Sequence, residues 1–597
     1  MFAFATDFVV FLVKVLVTCY DVITIPVYLI LQKPWIYWKQ KRLCFAKPIK
    51  DGDPSSPYVR PETLEIECLK GVRTLDEATR KAIRSYPKRP ALGTRPVLGQ
   101  SEEKQPNGRV FMKLVLGDYQ WLTYDEVDKM IDMTARGLQA IGVRPRQRMA
   151  ILAETRCEWF ITAQACFRAN VTLVTLYATL GNDGIVSAVN RTGVTHLVTS
   201  ADLLPRVLSI ASKTPSLTHI VYMENASPKQ LQPSTAHRPQ ASTRRTTSHS
   251  VISSDTVSRS PVIPFSSLET LGSNVCMQEC KPTPEDIAVI MFTSGSTGIP
   301  KGVMATHSNL MTTMRSFAFV CQSYGAAGSE DVYIAFLPLA HILELSFEIL
   351  LMSVGGRIGY SSPLTLTDKS NGIDPSCHGD ATVLKPTQVT SVPLVTDRIR
   401  KEVNEMVAYR GALYKALFDY AVRYKCRWLD LGFRTPILNR VLFNKTSQII
   451  GGKTKVIICG SAPLSNQTRW FLRACLNCPV AEGYGLSETS CVTTAMERRD
   501  TSTGRVGGPL SGCYLRLVDW QEGDYSVADR PNPRGEVVVG EGRGAPARLK
   551  LCHEDWTPDA GLVTPTLKLC RRPLEKYYES DIKALYESDE ETHKAYS

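Results

Sequence analysis

From Arg148 onward the chain alternates between short apolar runs and helix-length segments, and this rhythm limits the fold more than any other feature. MAILA (149–153), the run 171–177, THLVTS (195–200) and HIVYM (219–223) read as strands. Segments 158–168, 183–190 and 203–212 read as the helices between them. Short continuous apolar runs separated by helices predict a parallel, doubly wound α/β sheet with helices on its faces. In such sheets ligands bind outside the carboxyl ends of the strands. The pattern resumes with expected strands at 287–291, 333–337, 357–360, 455–459 and 535–540, and a helix at 342–352. A chain of 597 residues is too long for one core, so two or more domains are expected.

Other segments break the rhythm. Residues 8–31 are mostly apolar, too long for a signal-peptide core and without a clear small-residue cleavage site. Lys14 and Asp21 would each cost about 2.5–3.5 kcal/mol at mid-bilayer, and Pro26 would kink a helix. The expectation is a membrane anchor over 1–32, either a tilted span or a bent segment dipping into one leaflet. Lys33, Lys39, Lys41 and Arg42, interleaved with Trp35, Tyr37 and Trp38, read as a cytosolic interface belt. Residues 33–84 are then basic flank and linker, with a Pro-rich polar stretch at 48–61. Residues 85–540 form the large domain. Within it, 225–261 is rich in Ser, Thr and Arg and reads as a disordered insertion. Residues 541–597 form a charged tail without an apolar face.

The net charge of +12 suits a membrane surface or a polyanionic small ligand. No zinc-finger spacing or basic helix supports nucleic-acid binding. Among the 17 cysteines one C-x-x-C occurs, Cys475 to Cys478, late in an expected helix over 467–476. With no second pair at zinc spacing, these read as ordinary reduced thiols.

Two motifs carry the chemistry. FTSGSTGIPKG (292–302) follows the apolar run 287–291 and so leaves the end of a strand. Gly295, Gly298 and Gly302 let successive N–H groups converge on one anion. Thr293, Ser294, Ser296 and Thr297 add hydroxyl donors, and Lys301 adds a positive charge. This is a phosphate cradle, though it lacks the G-x-x-x-x-G-K-[ST] spacing of the P-loop. The second motif is EGYGLSET (482–489). Tyr484 can stack on a purine, and Glu488 can hold Mg2+, a hard cation that usually sits between a carboxylate and phosphate oxygens.

Together the two resemble the phosphate loop and the Y-G-x-[ST]-E motif of the adenylate-forming superfamily. LVTLYATLG (173–181), LPLAHILE (337–344), TGRVGGPL (503–510) and NPRGEVVVG (532–540) resemble the long-chain acyl-CoA synthetases within it. That resemblance implies an α/β large domain of stacked sheets and helices. It implies that Thr293 and Glu488 coordinate Mg2+, and that Ser294, Gly295, Ser296, Thr297, Gly298 and Lys301 surround the ATP phosphates. It places Gly460, Ser461 and Ala462 on the adenine side, where a glycine is more usual than Ser461. Tyr484, Gly485 and Ser487 complete the nucleotide site. His341 either lines the substrate site or only caps the helix it opens.

The implied reaction joins a long-chain fatty acid to CoA through an acyl-adenylate, using ATP and Mg2+, on a membrane-anchored body facing the cytosol. The endoplasmic reticulum is the first expectation for location, ahead of lipid droplet, peroxisome and outer mitochondrial membrane. One departure qualifies this. The family's Thr-Gly-Asp motif, its Asp-Arg-x-x-Lys hinge and its small C-terminal domain are not found after residue 540. The expectation is therefore a complete large domain with a substituted end and slower adenylation. The alternative is a membrane-tethered form that binds nucleotide and fatty acid without turnover.

Overall fold

Two stacked sheets carry most of the strands expected from the rhythm. In this computed structural model the described residues are 2–40, 46–51, 56–61, 66–104, 110–225, 261–277, 280–293, 301–498, 500, 502, 504–541, 577 and 579. The seven-stranded sheet runs in the order Val262–Pro264, His219–Met223, His196–Ser200, Arg148–Leu152, Thr172–Leu176, Ile287–Thr293, Lys301–Thr306. Its neighbours pair in parallel except the last two, which form an antiparallel pair. Thr172–Leu176 and His196–Ser200 are buried at every position, which is why they read as unbroken runs rather than alternating ones.

The nine-stranded sheet is parallel from Val480–Tyr484 through Val456–Cys459, Gln388–Ser391, Val332–Ala335 and Arg357–Tyr360 to Pro90–Thr94. Antiparallel strands extend it at both ends. Helix Cys157–Arg168, buried at every residue but Glu158, touches strands of both sheets. Helix Ile342–Ser353 is buried throughout and packs on the nine-stranded sheet. These helices and the facing strands share one continuous apolar core.

Three expectations change. The stretch 48–61 is not simply a linker. Lys47–Pro48 pairs with Tyr58–Val59, and these join Cys513–Val518 and Glu536–Glu541 in a four-stranded antiparallel sheet. Two-residue strands satisfy their backbone groups without any sequence period to announce them. The boundary at residue 84 also moves. Leu69, Leu75, Ala78 and Ala82 are buried, and helix Leu75–Ser85 packs against the two central helices. Residues from Ile66 onward therefore belong to the body. Finally, Val97–Lys104 and Val110–Leu116 form a hairpin that the rhythm did not predict.

The N-terminal helix spans Phe2–Gln32 and contains Pro26. Its stretch Phe8–Gln32 is long and apolar enough to cross a membrane. The two residues that would be costly in lipid face protein instead. The Tyr424 hydroxyl donates to Asp21, and the Lys14 ammonium lies 6.0 Å from the Tyr420 ring centre. Both partners sit on helix Ala412–Asp430. The flank that follows is docked as well: Trp38 Nε1 donates to the Leu431 carbonyl at 3.0 Å, and Gln32 Nε2 to the Arg434 carbonyl at 3.1 Å.

Residues 226–260 of the expected insertion 225–261, the loop 294–300 and nearly all of the tail 541–597 lie outside the described residues. Cys475 ends helix Asn466–Cys475, and both it and Cys478 are buried free thiols. Burial pushes the Cys478 thiol up to about 12, so it is protonated and unreactive near neutrality.

Candidate active site

Strand Ile287–Thr293 ends at Thr293, and Lys301 opens the next strand as the register partner of Thr293. The phosphate-cradle segment therefore joins two paired strands at the carboxyl end of the first. Ser294, Gly295, Ser296, Thr297 and Gly298 themselves fall outside the described residues. Opposite, two neighbouring strands of the nine-stranded sheet end at Cys459 and Tyr484. They deliver Gly460 and Ser461 from one, and Tyr484, Gly485, Ser487 and Glu488 from the other.

These residues, with Thr293, Lys301 and His341, line one cleft of about 430 Å³. Nine of the sequence-predicted positions thus converge there. Ala462, next along the loop from Ser461, does not line it. The cleft lies where strand ends from both sheets meet, as the general rule for open α/β sheets requires.

The second loop is held by its own backbone. The Thr493 N–H donates to the Tyr484 carbonyl at 2.8 Å and the Cys491 N–H to the Leu486 carbonyl at 3.1 Å. Ser490 and Cys491 both have positive φ, 54° and 110°. Side-chain-bearing residues seldom adopt that region, and such strain concentrates at ligand sites. Ser461 also has positive φ, 70°. This gives a physical reason for the glycine expected there, since glycine enters that region without steric cost.

Glu488 is exposed, Lys301 is partly buried, and neither forms an ion pair among the described residues. A carboxylate and the Thr293 hydroxyl are hard oxygen donors, a set that fits Mg2+ shared with phosphate oxygens. Among the described residues no group of three or more His, Cys, Asp or Glu side chains could hold a metal unaided.

His341 sits at the junction of helix and cleft. It is the N-cap of helix Ile342–Ser353, its Nδ1 accepting from the Leu343 N–H at 3.1 Å. It also lines the cleft. Burial lowers its pKa, so the ring is neutral at pH 7 and carries its proton on Nε2.

Behind the cleft lies a pair that the motifs did not reveal. Glu344 and Glu348 are fully buried, one helical turn apart. Glu344 accepts from the Tyr333 hydroxyl at 2.6 Å and the Thr390 hydroxyl at 3.2 Å, and Glu348 from the Tyr360 hydroxyl at 2.9 Å. Burial pushes Glu344 up to about 8. Burial, and then the neighbouring Glu344, raise Glu348 well above the carboxylate range. The sequence signal was present: two glutamates four apart in a helix otherwise made of Ile, Leu, Phe, Met and Ser.

A buried acid whose folded pKa exceeds its unfolded value binds more protons when folded. Stability then falls as pH rises from the ordinary carboxylate range toward 8. Glu344→Gln keeps an oxygen to accept from Tyr333 and removes that titration. Its melting temperature is expected to fall less than the wild type's between pH 6 and pH 8.5, read by thermal unfolding at each pH. An unchanged slope would show that Glu344 is already ionised when folded.

A family model described as AMP-binding enzyme matches residues 98–544. Long chain acyl-CoA synthetase 8 of Arabidopsis thaliana is 36% identical over 505 residues, covering 83% of this chain and 67% of that protein. Fatty acyl-CoA synthetase A of Dictyostelium discoideum is 33% identical, covering 71% and 58%. The peroxisomal long chain acyl-CoA synthetase 6 of Arabidopsis thaliana is 34% identical, covering 72% and 57%. The matched part of the chain therefore spans between 57% and 67% of the length of these relatives. Among solved structures, the A domain of a carboxylic acid reductase from Segniliparus rugosus, in complex with AMP and a co-purified carboxylic acid, aligns with a TM-score of 0.54. That alignment has 18% identity and covers 79% of this chain and 68% of that one, and it shows a shared fold. With the strand-end cleft, the two stacked sheets and the family match over most of its length, this chain belongs to the AMP-binding enzyme family, with long-chain acyl-CoA synthetases as its relatives.

Proposed function

We propose that the chain activates long-chain fatty acids to acyl-CoA, using ATP and CoA. The observation that carries this is the single cleft that gathers Thr293, Lys301, His341, Tyr484 and Glu488 at the strand ends. The names of the relatives support the substrate class.

In the first half-reaction a fatty carboxylate oxygen attacks the α-phosphorus of ATP. The bond from that phosphorus to the bridging oxygen breaks, and pyrophosphate leaves. In the second, the CoA thiolate adds to the acyl carbonyl carbon and AMP departs. Such steps need positioning and charge neutralisation more than a protein nucleophile. Tyr484 stacks on the adenine, while Gly460 and Ser461 border it, with Gly485 and Ser487 beside the phosphates. Thr293 and Glu488 would hold Mg2+, which supplies positive charge to the phosphate oxygens. Lys301 adds a second positive charge beside the leaving pyrophosphate. Ser294, Gly295, Ser296, Thr297 and Gly298 supply N–H and hydroxyl donors to the phosphates. The neutral His341 presents Nε2–H to the substrate side of the cleft.

The N-terminal helix tethers this body to a membrane with the cleft on the cytosolic side. Its length and apolar composition support the tether. The endoplasmic reticulum is the first candidate location, and the peroxisomal name of one relative supports the peroxisome as another.

Pyrophosphate–ATP exchange tests the first half-reaction. Label from pyrophosphate should enter ATP only when a long-chain fatty acid is present. A chain that holds ATP and fatty acid without chemistry would show no fatty-acid-dependent exchange, and that result would overturn the proposal.

A further inference from the structure

Two cavities meet where the N-terminal helix leaves the body. The first, of about 450 Å³, lies between helices Phe2–Gln32 and Ala412–Asp430. Val13, Val17 and Ile25 wall it on one side, and Leu417, Phe418 and Ala421 on the other. Residues elsewhere around the N-terminal helix are also apolar and are exposed: Leu16 by 69%, Ile23 by 74% and Leu31 by 71%. The second cavity, of about 810 Å³, sits at the C-terminal end of the same helix. Phe433, Arg434 and Thr435 line both, so slot and cleft adjoin.

The second cavity is basic. Lys33, Lys425, Arg434, Arg469, Arg473 and Arg498 line it, against Glu497 and Asp500. Several of these charges are already matched. Glu497 pairs with Arg60 at 2.5 Å, Arg473 with Asp430 at 3.0 Å and Arg469 with Glu482 at 3.6 Å. Lys425 is buried and donates to the Ala474 carbonyl at 2.7 Å. Asp500 accepts from Ser502. Lys33, Arg434 and Arg498 are exposed and form no ion pair among the described residues.

An apolar slot adjoining a cleft with three unmatched cations fits an amphiphile with an anionic head. A fatty carboxylate offers one charge and two oxygens, which one cation satisfies. Three cations around a larger space suit a phosphate-bearing headgroup. One wall of the slot is the helix read above as membrane-embedded, so the ligand is drawn from the bilayer rather than from water. We propose that the paired cavities bind one anionic glycerophospholipid, with an acyl tail between the two helices and its phosphate against Lys33, Arg434 and Arg498. The inference rests on the membrane reading of the helix.

The test uses the full chain with vesicles of phosphatidylcholine alone or with added phosphatidylserine, followed by flotation and native mass spectrometry of the recovered protein. Wild type should float with both and retain phosphatidylserine in preference. The double variant Arg434→Ala/Arg498→Ala should still float with phosphatidylcholine, yet retain about tenfold less phosphatidylserine. Ala421→Trp, which fills the slot, should lower retention of the lipid without altering any of the three cations. Floating without preference for the anionic lipid overturns the lipid site alone. So does displacement of phosphatidylserine by an equimolar long-chain acyl-CoA or fatty acid. Failure to float with either vesicle overturns the membrane reading, and the lipid site with it.

Discussion

Glu488→Gln is expected to lower fatty-acid-dependent pyrophosphate–ATP exchange by about 10²- to 10³-fold, the loss typical when one preorganised electrostatic contact to a reacting centre is removed. Glutamine keeps the size of the side chain and an oxygen acceptor. What it loses is the negative charge that makes a carboxylate a stronger ligand than an amide for a hard divalent cation. Glu488 is exposed on its turn and has no ion pair among the described residues, so nothing in the fold depends on its charge. The melting temperature should therefore stay near that of the wild type, since surface changes of this kind stay within about 0.5 kcal/mol. Raising Mg2+ should recover part of the lost rate if the defect lies in metal affinity. Exchange within about threefold of wild type, at the same Mg2+, would show that Glu488 does not serve the metal.

How far the sequence reveals this architecture depends on how local the cause of each element is. His219–Met223 and Arg357–Tyr360 fall on the residues read as strands. A strand covered on both faces is mostly apolar, and that leaves a direct trace. The hairpin Val97–Lys104/Val110–Leu116 leaves a weaker one, because its residues are half-buried or exposed and mix Gln, Ser and Glu with Val and Leu. The pairing of Tyr58–Val59 with Cys513–Val518 joins residues more than 450 positions apart. No local pattern encodes such a contact. The site divides in the same way. Thr293, Lys301, Tyr484 and Glu488 were legible because glycines and hydroxyls are rare in that density after a buried strand. The positive φ of Ser490 and Cys491 was not legible, because neither residue type signals it. Glu344 and Glu348 were readable in principle. Their meaning, a protonated pair beneath the cleft, depends on Tyr333, Thr390 and Tyr360 arriving from three other strands.

Gly485→Ala should remove nucleotide binding, for a reason independent of charge. A Cβ on Gly485 would sit 1.6 Å from the Cys491 carbonyl oxygen, 2.6 Å from its carbon and 2.8 Å from the Val492 Cα. Those atoms are backbone, so no side-chain rotation relieves the clash. The φ of Gly485 is not in the left-handed region, so alanine is refused by space and not by conformation. The turn 486–491 must then shift by an ångström or more, although Cys491 is buried and its N–H is bound to the Leu486 carbonyl. Ser487 and Glu488 ride on that turn. A misplacement of about 1 Å can cost about 10²-fold in rate, so exchange should fall at least that far, with ATP affinity falling beside it in a calorimetric titration. Overpacking of this kind should also cost about 1–3 kcal/mol of stability. Gly460→Ala is the steric control, because its Cβ would meet the Gly483 carbonyl at 3.5 Å, an ordinary contact. It should melt near the wild type while Gly485→Ala melts lower. Equal melting temperatures for the two variants, or wild-type ATP affinity in Gly485→Ala, would show that the turn is free to move and that its placement over Gly485 does not build the site.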